Sequence, residues 1–126
     1  MTAETAVEKD VLRREIQKKY AEVADQPGGT FHFHTGRPLA MMLGYPEDIL
    51  NRLPDALVES FAGVGNPFSV GSVAAGDAVM DVGSGSGFDC LVAAHYAGTQ
   101  GSVVGVDMTP EMLHKADRNR RALGLD

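Results

Sequence analysis

An α/β fold, with a strand–helix–strand–helix unit following a helical N-terminal region, is predicted by three observations. Ala78-Val-Met-Asp-Val82 and Ser102-Val-Val-Gly-Val-Asp107 are short, valine-rich runs with little polar alternation. Such runs read as parallel strands covered on both faces. The segment between them holds one helix, over about 89–97, and a second helix opens at Thr109. The first strand leads into MDVGSGSGFDC (80–90), where glycines at every second position leave bare backbone for a ligand to approach.

The elements ahead of this unit follow from periodicity and breakers. Val7, Val11, Leu12, Ile16, Tyr20 and Val23 recur at helical spacing, which predicts an amphipathic helix over 5–23. The run DQPGG (25–29) stops it, and TFHFHTGRP follows as an extended or loop segment. Two short helices, over 39–43 and 47–53, are split by Gly44 and Pro46, and a third spans 54–63 with Pro54 in its first turn. VGNPFSVGSVAAG (64–76) is a connection, so the chain divides into a helical lid region (1–76) and an α/β region (77–126). Thr109 is placed to cap the last helix, with Pro110 in its first turn, Glu111 at its positive end and Gly124 beyond its close.

Composition narrows the function classes. A chain of 126 residues with 44% hydrophobic content suits at most one globular domain. No apolar run reaches the ~18 residues that span a bilayer, and the polar, acidic start is no signal peptide. The net charge of −6 argues against nucleic-acid binding, which needs a basic surface. The single cysteine, Cys90, excludes an internal disulfide framework and fits a reducing, cytoplasmic setting.

The glycine turn discriminates between ligands. A dinucleotide fingerprint is G-x-G-x-x-G, and its last glycine makes room for helix–strand packing. Gly83 and Gly85 fit, but the third glycine arrives one residue early, at Gly87, and Phe88 stands where the pattern has its last glycine. Asp107, ending the second strand, can accept both hydroxyls of a ribose. An acid before Gly-x-Gly-x-Gly, with a second acid ending the next strand, is the pattern of S-adenosylmethionine-dependent methyltransferases. Asp81 then offers negative potential to the ammonium end of that cofactor.

From residue 60 onward the sequence resembles the arsenite methyltransferases, through GNP before the first strand, GSGSGFDC after it, and GVDMTPEML across the second strand and last helix. The resemblance implies the N-terminal part of a Rossmann-like doubly wound methyltransferase sheet (βαβα) preceded by a helical lid region. It implies S-adenosyl-L-methionine as cofactor, with Gly83, Ser84, Gly85 and Gly87 forming the turn against its methionine moiety. Asp107 would hold the ribose, Met108 would lie against the adenine, and Tyr20 would close over the cofactor. The family holds trivalent arsenic through cysteine thiolates, since soft metalloids prefer sulfur. One of those cysteines falls in Gly-Cys-Gly-Asn-Pro, which here reads Gly63-Val64-Gly65-Asn66-Pro67. Val64 cannot ligate arsenic, so the expected methyl acceptor is another small molecule.

Two strands cannot build the crevice of a six- or seven-stranded sheet, so the chain reads as an incomplete or truncated methyltransferase, inactive alone. The alternative is a non-catalytic module that binds S-adenosylmethionine, or a second chain, through the open sheet edge. Other residues have ordinary readings. His32 and His34 share one face of an extended segment without a third ligand. Met41 and Met42 suit the lid core, Cys90 a small buried position, and Asn66 a turn. The basic run 118–121 suits the negative end of the last helix.

Overall fold

The computed structural model of the chain describes residues 11, 14–18 and 35–126. Residues 14–18 are helical, within the helix expected over 5–23, while Tyr20, His32 and His34 lie outside the described residues. The elements that follow are α1 (Gly36–Met42), α2 (Glu47–Leu50), α3 (Asp55–Glu59), a 3-10 turn (Pro67–Ser69), β1 (Ala78–Val82), α4 (Phe88–Ala97), β2 (Ser102–Val106) and α5 (Pro110–Ala122). The α/β expectation is borne out, with β1 and β2 parallel and Met80 opposite Val104, Val82 opposite Val106.

The helical pieces are shorter than their apolar spacing suggests, because glycine and proline cut them. Gly44 ends α1 in the left-handed region, and Tyr45 N–H then turns back to the Ala40 carbonyl at 3.1 Å. Pro54 does not begin α3 but precedes it in an extended conformation. Its carbonyl accepts from Leu57 and Val58 N–H at 3.0 and 3.2 Å, so the proline serves as the cap.

The core lies between these helices and α4, not within the sheet. Ala40, Ile49, Leu50, Leu57 and Val58 from the helical region pack with Leu91 and Val92 of α4. Three rings join the two parts. Phe88 sits 4.3 Å from Phe61 and 4.9 Å, edge to face, from Tyr45. The ring that departs from the dinucleotide pattern is therefore the bolt between the short helices and the glycine turn. Met41 and Met42, expected in the lid core, are instead 48% and 71% exposed, since α1 buries its Gly36 and Ala40 side.

The sheet departs from expectation as well. α4 packs across both strands and leaves Val79, Asp81 and Val103 only partly exposed. The alternate residues Met80, Val82, Val104 and Val106 share the other face and are exposed. Apolar runs in both strands predicted two covered faces; among the described residues only one is covered. Pleating sends the alternate side chains away from α4, and among the described residues no second helical layer meets them there.

Candidate cofactor site

The site grows out of the β1–α4 turn. β1 ends at Val82, and Gly83 and Ser84 N–H both bond to the Val106 carbonyl, at 2.7 and 3.0 Å, which seats the turn on the end of β2. Gly83 and Gly85 have φ of 80° and 57°, a region that L side chains rarely adopt. A Cβ on either would meet nothing within 4 Å, so both backbones are open to an approaching molecule. Gly87 differs. Its added Cβ would lie 3.1 Å from the Ala116 side chain of α5, so its lack of a side chain lets the turn pack closely against that helix.

Asp107 fastens the turn from the other side. Its carboxylate accepts from Gly85 N–H and from Thr109 N–H, each at 2.8 Å. A carboxylate has about four acceptor positions, so these two bonds do not saturate it. Thr109 sits at the N-cap position of α5, but its hydroxyl makes no capping bond and is buried with no partner among the described residues. The capping role expected of Thr109 passes in part to Asp107. Asn119 Nδ2 donates to the Ser86 carbonyl at 3.2 Å and ties α5 to the same turn.

A cavity of about 520 Å³ opens over this turn, walled by Gly83, Ser84 and Gly85, by Phe61 to Val64, and by Phe88, Asp89 and Met112. Ile16 reaches it from the N-terminal helix, and Gln17 Nε2 donates to the Met108 carbonyl beside it. Of the residues singled out in the sequence, Gly83, Ser84 and Gly85 line the cavity. Gly87, Asp107 and Met108 stand behind or beside the wall, and Tyr20 is outside the described residues.

Asp81 is not on the cavity wall. It faces α4, where its Oδ2 accepts from the Cys90 thiol at 3.5 Å. Burial, reinforced by the Asp81 charge, pushes that thiol up to about 12, so Cys90 is protonated and unreactive at neutral pH. Asn66 is a turn residue: Oδ1 accepts from Phe68 N–H at 3.0 Å and Nδ2 donates to the Leu43 carbonyl at 3.2 Å.

Sequence reasoning missed Asp89. It lies in the first turn of α4, lines the cavity, and accepts a 2.5 Å hydrogen bond from Tyr45 Oη. Burial raises its pKa above the usual carboxylate range; the Tyr45 bond opposes that and the Asp81 charge adds to it. The available signal was its place, an acid in the first turn after a glycine loop. Tyr45 carried no signal, since its partner is far along the chain.

Comparisons with known proteins place the chain's likenesses among methyltransferases. Residues 74–126 match the family model described as a methyltransferase domain. An arsenite methyltransferase of Halobacterium salinarum is 47% identical over 77 residues, which is 61% of this chain and 19% of that protein. An arsenite methyltransferase of Aquipseudomonas alcaligenes is 59% identical over 39 residues, 31% of this chain and 11% of that one. Among solved structures, an arsenic(III) S-adenosylmethionine methyltransferase from Chlamydomonas reinhardtii is 34% identical, with a TM-score of 0.45, over 74% of this chain and 29% of its own. The resemblance to arsenite methyltransferases is borne out, and the chain spans less than a fifth of the length of these two curated relatives.

Proposed function

We propose that this chain is the cofactor-binding portion of an S-adenosylmethionine-dependent methyltransferase of the arsenite methyltransferase type, acting on a small molecule other than arsenite. One observation carries the reading. Gly83 and Gly85 present open backbone to a cavity while Asp107, at the end of β2, holds Gly85 N–H in place. A cofactor with an amino acid at one end and a ribose at the other suits main-chain contacts beside a carboxylate.

Bound S-adenosylmethionine supplies a methyl group on a sulfonium, already activated for in-line attack. The residues of this chain then contribute position. The turn at 83–85 receives the methionine end, Asp107 turns its remaining lone pairs to the ribose, and Phe61 and Phe88 exclude water from the inner wall. Orientation of this kind is enough where the leaving group needs no further activation. Arsenite is disfavoured as acceptor because Val64 stands fully exposed at the cavity wall and Cys90, the one cysteine of the chain, is a protonated thiol bound to Asp81. Neither residue offers the thiolate that trivalent arsenic takes. We assign methyl transfer to this portion only together with further acceptor-binding structure.

Equilibrium dialysis with labelled S-adenosylmethionine tests the reading. Wild type retains the label saturably, and Gly85→Val, which puts a branched side chain into the open space, retains none. Equal retention by both proteins refutes it.

A specific observation favours a second reading, that the module also engages a protein through its sheet. The face carrying Met80, Val82, Val104 and Val106 is apolar and bare among the described residues. Light scattering after gel filtration decides it: a mass above the monomer that Val82→Lys abolishes supports it, and a monomer at all concentrations refutes self-association.

A further inference from the structure

We propose that Asp89 is the binding residue for the ammonium group of S-adenosylmethionine, and that Tyr45 is the residue that positions it. This rests on the reading of the cavity as the cofactor site and moves the ammonium contact from Asp81, where the sequence pattern puts it, to the next helix.

Three features of the structure assign it. First, Asp89 lines the same cavity as Gly83, Ser84 and Gly85, whereas Asp81 lies off that wall and is engaged by the Cys90 thiol. The cofactor's amino acid end, resting on the 83–85 backbone, therefore meets the Asp89 carboxylate and not the Asp81 one. Second, Asp89 is held. Tyr45 Oη donates to its Oδ1, with the Gly65 carbonyl 3.5 Å from the same hydroxyl, and the Tyr45 ring is clamped edge to face by Phe61, Phe68 and Phe88. One carboxylate oxygen is thus fixed by Tyr45, and among the described residues no hydrogen bond engages the second. Third, the groups that act on Asp89 are Tyr45 from the α1–α2 connection and Asp81 from β1, with the protonated Cys90 next to it on α4. A cationic ligand group supplies opposite charge where the neighbouring carboxylate supplies like charge.

The test uses three ligands on the full chain: S-adenosylmethionine, S-adenosylhomocysteine, which keeps the ammonium but lacks the sulfonium charge, and 5′-methylthioadenosine, which lacks the amino acid. Asp89→Asn weakens the first two by about tenfold or more, the scale of a lost charge-assisted contact, and leaves the third unchanged. An equal loss for all three makes Asp89 merely structural and overturns the assignment. A loss for S-adenosylmethionine alone assigns the carboxylate to the sulfonium and overturns it too, as does no loss at all. Wild type that binds none of the three sinks the cofactor reading itself, a different result from a variant that binds all three normally.

Tyr45→Phe keeps the ring and removes only the hydroxyl. S-adenosylmethionine affinity falls as pH drops through the Asp89 pKa, because the ligand needs the carboxylate. The Tyr45 bond lowers that pKa, so its removal moves the midpoint of the pH profile upward. A midpoint that stays in place, with affinity reduced equally at every pH, overturns the positioning role.

Discussion

Replacing Phe88 by alanine removes a ring that is only 5% exposed and that touches both Phe61, at 4.3 Å between centroids, and Tyr45, at 4.9 Å. Truncating a buried phenylalanine to alanine costs about 3–5 kcal/mol in transfer and cavity terms. Aromatic pairs of this kind contribute about 0.5–1.5 kcal/mol each, and two are lost here, so the cost belongs at the upper end, about 4–5 kcal/mol. Domains of this size are stable by only about 5–15 kcal/mol, so the variant keeps little margin. Urea unfolding followed by circular dichroism is the assay. With a slope of about 2 kcal/mol/M, the midpoint falls by about 2 M. The loss lands on the join between the helical region and α4, so the whole transition shifts as one. A fall of less than about 0.5 M would falsify the claim that this ring bolts the two parts together.

The other predictions concern charge, backbone and the bare sheet face. Asp89→Asn raises the thermal midpoint at neutral pH: the folded pKa of Asp89 is raised, so its contribution is greatest below the unfolded value and is lost as pH rises through the folded one. The gap over wild type therefore closes on acidification, and an unchanging gap in a melting series contradicts the buried charge. Asp81→Asn speeds alkylation of Cys90 by iodoacetamide, because the nearby charge helps hold the thiol near 12; burial remains, so the rate stays below that of a free thiol. An unchanged rate removes Asp81 as a cause. Gly87→Ala, with φ of 89° and a new Cβ 3.1 Å from Ala116, costs about 1–3 kcal/mol by urea unfolding, and a neutral result denies the close packing of the glycine turn on α5. Val82→Lys, on a side chain 78% exposed, changes the stability of the monomer by less than about 0.5 kcal/mol; a larger, concentration-dependent loss shows that the face is covered in solution, as the second reading requires.

The α/β half was legible because its signals are local. β1 runs over the residues expected, and β2 stops at Val106, leaving Asp107 just past its end. Pro110 and Glu111 do open α5. The turn was legible as well, since alternate glycines between strand and helix have few other uses. What escaped depends on contacts between distant residues. Nothing near Tyr45 or Asp89 announces that they meet. Met41 and Met42 are apolar, yet the small residues of α1 face the core. Met80 and Val82 look like buried strand residues because a parallel strand reads the same whether its second face is covered or bare. Phe88 was read as a misfit to the dinucleotide pattern. Its positive role, packing against Phe61 and Tyr45, belongs to the tertiary structure alone.

The central claim is that the open backbone at 83–85, with Asp107 behind it, is built for S-adenosylmethionine and not for a dinucleotide. Calorimetric titration of the folded chain with each ligand in turn tests it most directly. The account predicts saturable heat with S-adenosylmethionine and none with NAD. Heat with NAD, or with neither ligand from a chain whose circular dichroism shows it folded, would contradict it.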